Sequence, residues 1–261
     1  IAGEISMTQQ IAISKYNASG NDFVIFHTFR RDNYSELAKT LCHRISGVGA
    51  DGLVVVLPAS TDDIDFEWDF YNSDGSHAGM CGNASRAVSH YAFKNQLITT
   101  RRMSFLSSSG IIRTQVFDQD QIETTLTPHK IINSNITLKN KSYWLADTGV
   151  PHIVAVCDDI DDFDISLARE LRQKYEANVN WVMVKDGNLF VRTYERGVED
   201  ETLACGTGIS ASFLRVLELG LVSKKTTAYP KSNEPIVVQY KNDRLMMTGQ
   251  VSLSFRSVVE V

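Results

Sequence analysis

The sequence predicts a mixed α/β protein of two pseudo-symmetric lobes with a functional cleft between them. Its length of 261 residues exceeds the usual single domain. Its composition, 43 % apolar and 22 % charged, suits a chain with a proper core. Above all, a strand, loop and helix written in the first half are written again in the second. The lobes implied are residues 7–128 and 129–250.

Taken in order, "SGNDFVIF" (19–26) is a small-residue turn entering a β-branched strand. "SELAKTLCHRIS" reads as a helix and "LVVVL" as a buried strand. In "FEWDFYN", Phe66, Trp68 and Phe70 alternate as in a half-buried strand, and "NSDGS" is a turn. Cys81-Gly82-Asn83 follows, and Ala84, Ala87, Val88, Tyr91 and Ala92 mark one face of a helix. The chain is expected to cross between lobes near "LTPHKIINSN". "TGVPHIVAV" (148–156) then echoes residues 19–26, and "LFVRTYER" is again strand-like. Cys205-Gly206-Thr207 opens a helix marked by Ile209, Phe213, Val216 and Leu217, with Gly220 as its stop. Asn72 precedes Cys81 by nine positions, and Arg196 precedes Cys205 by nine.

The formal charge of -5 and the lack of a basic, aromatic-laced stripe exclude a nucleic-acid partner. No apolar run approaches the ~18 residues that span a bilayer, so no membrane partner is expected. "IAGEISMTQQ" has neither a basic region nor an apolar run of the secretory type. Met7 is the expected natural start, with residues 1–6 left over from expression cloning. Cys42, Cys81, Cys157 and Cys205 form no CxxC pair and are too sparse for a disulfide scaffold. A cytoplasmic protein with reduced thiols is expected, with Cys42 and Cys157 in the core. The sequons at Asn17, Asn33, Asn83 and Asn135 then carry no meaning.

Two thiols at matching helix mouths have a chemistry in common. Free backbone N–H groups and the helix dipole favour a thiolate there. The glycine after each cysteine admits a close ligand, whose carboxylate the same N–H groups can receive. If the lobes close on one substrate, one thiolate can remove an α-proton while the opposite thiol supplies another. This stereoinversion by two bases needs neither metal nor cofactor. Donors aimed at the developing enediolate must carry much of the barrier, at about 2.7 to 4 kcal/mol each.

These segments resemble the diaminopimelate epimerase family. The resemblance runs from Tyr16 to the last strand through "SGNDFVI", "GVGADGL", "FYNSDGS", "MCGN", "TGVPHIV", "NVNWV" and "YERGVEDETLACGTG". It implies that Cys81 and Cys205 are the acid/base pair of a cofactor-independent epimerase interconverting LL- and meso-diaminopimelate. It implies substrate contacts from Asn21, Asn72, Asn178, Glu195 and Arg196, and carboxylate binding by Gly82, Asn83, Gly206 and Thr207. His152 and Glu195 occupy positions implied to tune the thiols. A guanidinium for carboxylate and amide oxygens for ammonium suit the distal zwitterion of such a substrate. The resemblance further implies curved mixed sheets each wrapped around a central helix, a last strand (about 251–261) returning to the N-terminal lobe, and a homodimer. The sequence departs from some members at Gly52 (Gln there), Val150 (Asn there) and in "GNAS", where "GNG" is usual.

Other signals are weaker. "GVGADG" matches a dinucleotide pattern but follows a helix and enters a strand, the reverse of the required order. "DDIDDFD" lacks calcium-loop spacing, and "EDE" (199–201) reads as exposed loop. The competing functions are a proline or hydroxyproline type of racemase and a thiol redox sensor, in which Cys81 and Cys205 form a reversible disulfide.

Overall fold

The computed structural model describes residues 10–139 and 141–261. The expected cloning remnant, residues 1–6, lies outside them. The first half comprises β1 (Gln10–Ala18), β2 (Asn21–His27), α1 (Ser35–Cys42), β3 (Gly52–Pro58), β4 (Phe66–Asn72), β5 (His77–Ala78), α2 (Gly82–Lys94), β6 (Arg102–Ser107), β7 (Gly110–Val116) and β8 (Gln121–Thr125). The second comprises β9 (Lys130–Leu138), β10 (Lys141–Asp147), β11 (Pro151–Val156), α3 (Ile165–Tyr175), β12 (Asn178–Lys185), β13 (Asn188–Glu195), β14 (Asp200–Thr202), α4 (Gly206–Glu218), β15 (Lys225–Tyr229), β16 (Ile236–Lys241) and β17 (Arg244–Gln250). A last strand, β18 (Ser252–Glu260), follows.

The mixed α/β, two-lobed expectation holds, and the pairing makes the duplication explicit. One half pairs in the order β18, β1, β2, β3, β4, β6, β7, β8, with β2–β3 and β4–β6 parallel. The other pairs in the order β9, β10, β11, β12, β13, β15, β16, β17, with β11–β12 and β13–β15 parallel. β8 and β17 pair antiparallel and join the two. Even the aromatic contacts repeat: Phe66 stacks on Phe105 with centroids 4.7 Å apart, and Phe190 on Tyr229 at 5.4 Å. Each parallel pair needs a crossover, and α2 and α4 occupy equivalent ones.

Each of these two helices is the centre of a core. Ala84, Ala87, Val88 and Tyr91 of α2 pack among Phe23, Trp68, Phe105 and Ile122. Ile209, Phe213 and Val216 of α4 pack among Trp144, Val191, Val238 and Leu245. The sequence suggested one buried face for α2, whereas residues 82–92 are buried on every side. Small polar side chains make this possible: Ser85 and Ser89 return their hydroxyls to the carbonyls of Cys81 and Ser85.

Two loop expectations need correction or detail. "EDE" is exposed loop only in part: Glu199 is an exposed turn residue, Asp200 is exposed but begins β14, and the Glu201 side chain is buried between Arg192 and Lys231 at 2.6 Å from each. In the acidic run, Asp159 and Asp164 accept backbone N–H groups, and Asp164 caps α3. Cys42 is buried as the last residue of α1, while Cys157 is half-buried at the rim of the cluster under α3. Among the described residues no helix is long and apolar enough to cross a membrane, and no cluster of His, Cys, Asp or Glu is arranged to hold a metal.

Candidate active site

Both expected cysteines are helix N-caps in extended backbone: Cys81 before α2 and Cys205 before α4. Their carbonyls accept the first intrahelical bonds, from Ser85 N–H at 2.8 Å and Ile209 N–H at 2.9 Å. That leaves the N–H groups of residues 82–84 and 206–208 outside the helical ladders, facing the cysteine ends. The two mouths meet at one side chain. A Cβ on Gly82 would lie 2.8 Å from the methyl carbon of Met247, and a Cβ on Gly206 2.7 Å from the same methyl. Met247 is fully buried on β17 and so acts as a common floor under both helix starts.

All four cysteines are free. Burial pushes both candidate thiols above the ordinary range, as expected for an anion removed from water. Other groups then act on them unequally. At Cys81 the N–H groups of Ala84 and Asn83 and the charge of Arg86 favour the thiolate, while Glu195 opposes it; neither amide makes a fully aligned cap bond to the sulfur. At Cys205 Glu195 is the largest opposing charge, and the Thr207 hydroxyl and Gly208 N–H favour the thiolate.

Around Cys81, Asn83 Nδ2 donates to Asn21 Oδ1 at 2.5 Å, and Asn21 Nδ2 donates to Asp51 Oδ2 at 3.0 Å. Asp51 is in turn held by Arg44 at 2.6 Å. Around Cys205, Thr207 Oγ1 lies 3.5 Å from the sulfur and 2.8 Å from His152 Nε2. Asn180 Nδ2 donates to the Ile153 carbonyl at 2.9 Å, which fixes its amide, and lies 3.0 Å from His152 Nδ1. The close Asn180 NH₂ makes Nδ1 the unprotonated nitrogen, while Nε2 has the Thr207 hydroxyl at 2.8 Å and only a longer 3.4 Å approach from the Asn178 amide. Burial, reinforced by Arg196, also pushes the His152 pKa down to about 3, so the ring is neutral. His152 Nε2–H therefore donates to Thr207, which frees the Thr207 hydroxyl proton to point at Cys205.

Asn178 Oδ1 accepts from the Arg196 backbone N–H at 2.8 Å, and its Nδ2 approaches the Pro151 carbonyl and His152 at 3.4 Å. The Arg196 guanidinium is anchored on the Glu176 carbonyl at 2.8 Å and remains exposed. Glu195 accepts from Thr202 Oγ1 at 2.8 Å, and burial raises its carboxyl. The structure thus gathers Cys81, Cys205, Gly82, Asn83, Gly206, Thr207, Asn21, His152, Asn178, Glu195 and Arg196. Asn72 stands apart: exposed, it donates to Ser76 Oγ at 2.9 Å within its own turn.

A family model described as diaminopimelate epimerase matches residues 13–132 and 144–254. The chain belongs to the diaminopimelate epimerase family. It is 51 % identical over 247 residues to the diaminopimelate epimerase of a Nitratiruptor species, covering 94 % of this chain and 97 % of that one. Against the Helicobacter pylori diaminopimelate epimerase the identity is 40 % over 262 residues, covering 94 % and 95 %. The fold is shared more widely. A hydroxyproline epimerase from Agrobacterium vitis superposes with a TM-score of 0.71 at 14 % identity, covering 97 % of this chain and 93 % of that one. A phenazine-biosynthesis protein of the PhzF family from Enterococcus faecalis gives 0.75 at 12 %, covering 97 % and 100 %. Family membership makes the chain an isomerase of lysine biosynthesis, with the epimerase activity that names the family.

Within that family, the departure at Gly52 has a packing reason here. A Cβ would lie 2.6 Å from Phe70 and 2.7 Å from the Tyr71 carbonyl, so no longer side chain is accommodated. Three site residues escaped the sequence reading. Asn180 shares the strand face of Asn178, two residues away, and that period of two was the available signal. Met247 carries no sequence signal. Arg86 was hidden within a helical pattern whose charged positions usually face water.

Proposed function

We propose that this chain interconverts LL- and meso-diaminopimelate, in the cytoplasm and as a homodimer, with Cys81 and Cys205 as the two acid/base groups on opposite faces of one α-carbon. The observation that carries the reading is the meeting of two cysteine-capped helix mouths over the Met247 methyl. A carboxylate placed there receives N–H groups from residues 82–84 and 206–208. One thiolate takes the α-proton, the pair of helix termini holds the enediolate charge, and the opposite thiol delivers a proton to the other face. Each well-placed donor is worth about 2.7 to 4 kcal/mol as charge develops.

His152 serves this chemistry as a neutral orienter rather than as an acid or base: its Nε2–H fixes the Thr207 hydroxyl toward Cys205. Asn178, Glu195 and Arg196 line the C-terminal side and suit the distal ammonium and carboxylate of the substrate. Asn21 is positioned to contribute through Asn83. Asn72 joins the distal contacts in this proposal by leaving its turn partner, Ser76.

The test is incubation of the reduced protein with LL-diaminopimelate in D₂O, following meso product and deuterium at the inverted centre. Wild type is expected to give both. Cys81→Ala and Cys205→Ala should each lose net epimerisation by at least about a thousandfold, as removal of an acid/base group implies. Full activity in either folded variant would overturn the assignment. Turnover of proline analogues in place of diaminopimelate would redirect it.

A further inference from the structure

Arg86 is the largest charged side chain in the protein with no exposure at all. It sits five residues after Cys81, in the second turn of α2. Its Nη2 donates to Asn83 Oδ1 at 2.8 Å and to Ser19 Oγ at 2.9 Å. Among the described residues its Nε and Nη1 have no hydrogen-bond partner, and no carboxylate is in ion-pair contact with it. Space for it is built in: a Cβ on Gly249 would lie 3.1 Å from the guanidinium carbon. Gly249 is two residues beyond Met247 on β17, so one strand face carries both the floor of the helix mouths and the cavity for Arg86.

A buried, uncompensated cation costs several kcal/mol, and the first turns of a helix are the wrong end of the dipole for it. Such a group calls for a negative charge nearby. Of the acidic groups around it, the Cys81 sulfur acts on it more strongly than Glu234. Cys81 in turn feels Glu195, which opposes a thiolate, and Arg86, the one side-chain charge that favours it. Cys205 feels Glu195 and Cys81, both unfavourable to a thiolate, and no cation is among the leading influences on it. The duplication supplies the internal control. Five residues after Cys205 stands Ser210, whose hydroxyl merely returns to the Gly206 carbonyl at 2.9 Å.

We propose that Arg86 is a positioning residue that makes Cys81 the resting thiolate and Cys205 the resting thiol, while orienting the Asn83 amide beside the reacting centre. This rests on the two-thiol reading. Arg86 touches no reacting atom; it acts through the Cys81 sulfur and Asn83. A turnover that starts from this form moves the substrate proton onto Cys81 and the Cys205 proton onto the substrate. The enzyme's proton count is unchanged, but the charge has moved to Cys205. A proton must then pass from Cys81 to Cys205 before the resting form is restored.

The test is the pH dependence of iodoacetamide alkylation of the reduced, full-length protein, resolved by peptide mass spectrometry. The midpoint of each profile reports ionisation independently of how accessible each thiol is. The Cys81 midpoint is expected below that of Cys205. Arg86→Met should raise the Cys81 midpoint by about one unit or more, the scale of a close charge partner, and Cys205 by less; Arg86→Lys should restore most of the gap. A Cys205 midpoint at or below that of Cys81 in wild type would overturn the proposal. So would an unchanged gap in folded Arg86→Met or, should that variant not fold, a gap in Arg86→Lys that inverts. Loss of activity in the cysteine variants with a reversed midpoint order would sink this inference alone. The expected order with active cysteine variants would sink the two-thiol reading instead.

Discussion

The two helix mouths share a backbone plan and differ in what lies behind it. In the N-terminal half the parallel pair β2–β3 opens with Phe23 beside Gly52; in the C-terminal half β11–β12 opens with His152 beside Asn178. Behind Cys81 there is apolar core and one buried cation. Behind Cys205 there is a chain of neutral polar groups, from Thr193 through Asn180 and His152 to Thr207. A duplicated fold therefore supplies two like thiols, and local side chains make them unlike. The lesson is that symmetry sets where the groups stand, while the surrounding side chains set which charge each one carries.

Swapping single residues between the mouths tests this contrast. The largest effect is expected at the third residue after each cysteine, Ala84 in one helix and Gly208 in the other. A Cβ on Gly208 would lie 2.3 Å from Asn180 Oδ1 and 3.2 Å from Thr193 Oγ1, atoms held in the polar chain. Gly208→Ala should cost about 1 to 3 kcal/mol of stability, the range for overpacking, and should lower kcat by displacing His152 from Thr207. The converse change, Ala84→Gly, faces apolar core and should cost only about 1 kcal/mol in helix propensity, with the rate kept. Thermal melts and steady-state rates on both variants check the pair; equal losses would erase the contrast.

A smaller effect, confined to acid, follows from His152. Its folded pKa lies near 3, below the ordinary value of about 6.5, so the unfolded chain takes up a proton that the folded one refuses. Stability is retained above about pH 6.5 and lost as pH falls toward 3, with a slope of up to about 1.4 kcal/mol per unit. Buried His90 is shifted the same way and adds to the loss. Urea melts from pH 7 to pH 4 should show a shallower decline for His152→Gln than for wild type. The smallest effect belongs at the far end of α4. Arg215→Ala removes the Arg215–Glu218 pair at 2.9 Å and should change stability by less than about 0.5 kcal/mol, leaving turnover intact.

Much of this was legible in the sequence because duplication turns weak local signals into a pattern. Cys81 and Cys205 stood out through their nine-residue spacing from Asn72 and Arg196, and the alternation of Phe66, Trp68 and Phe70 marked β4. Residues whose meaning depends on distant partners were not legible. Glu201 looked like loop because its cations come from elsewhere, Arg192 from β13 and Lys231 from the turn after β15. Arg86 drew no notice because nothing local reveals that β1, β7 and β8 close around α2. Met247 gains its role only from two glycines far away in the chain.

The pairing of β18 with β1 has a consequence for how the protein is made. Strand β1 is synthesised well before residues 252–260, which cover its outer edge. Until then β1 is itself the rim of the N-terminal sheet, the kind of edge that recruits stray strands; afterwards the rim is β18, which among the described residues pairs only with β1. Domains ordinarily fold in order of synthesis, yet here the N-terminal sheet waits for β18. Assembly of this edge is thereby put off until β18 is made, and a chain stalled before residue 252 exposes β1 to whatever strand arrives first.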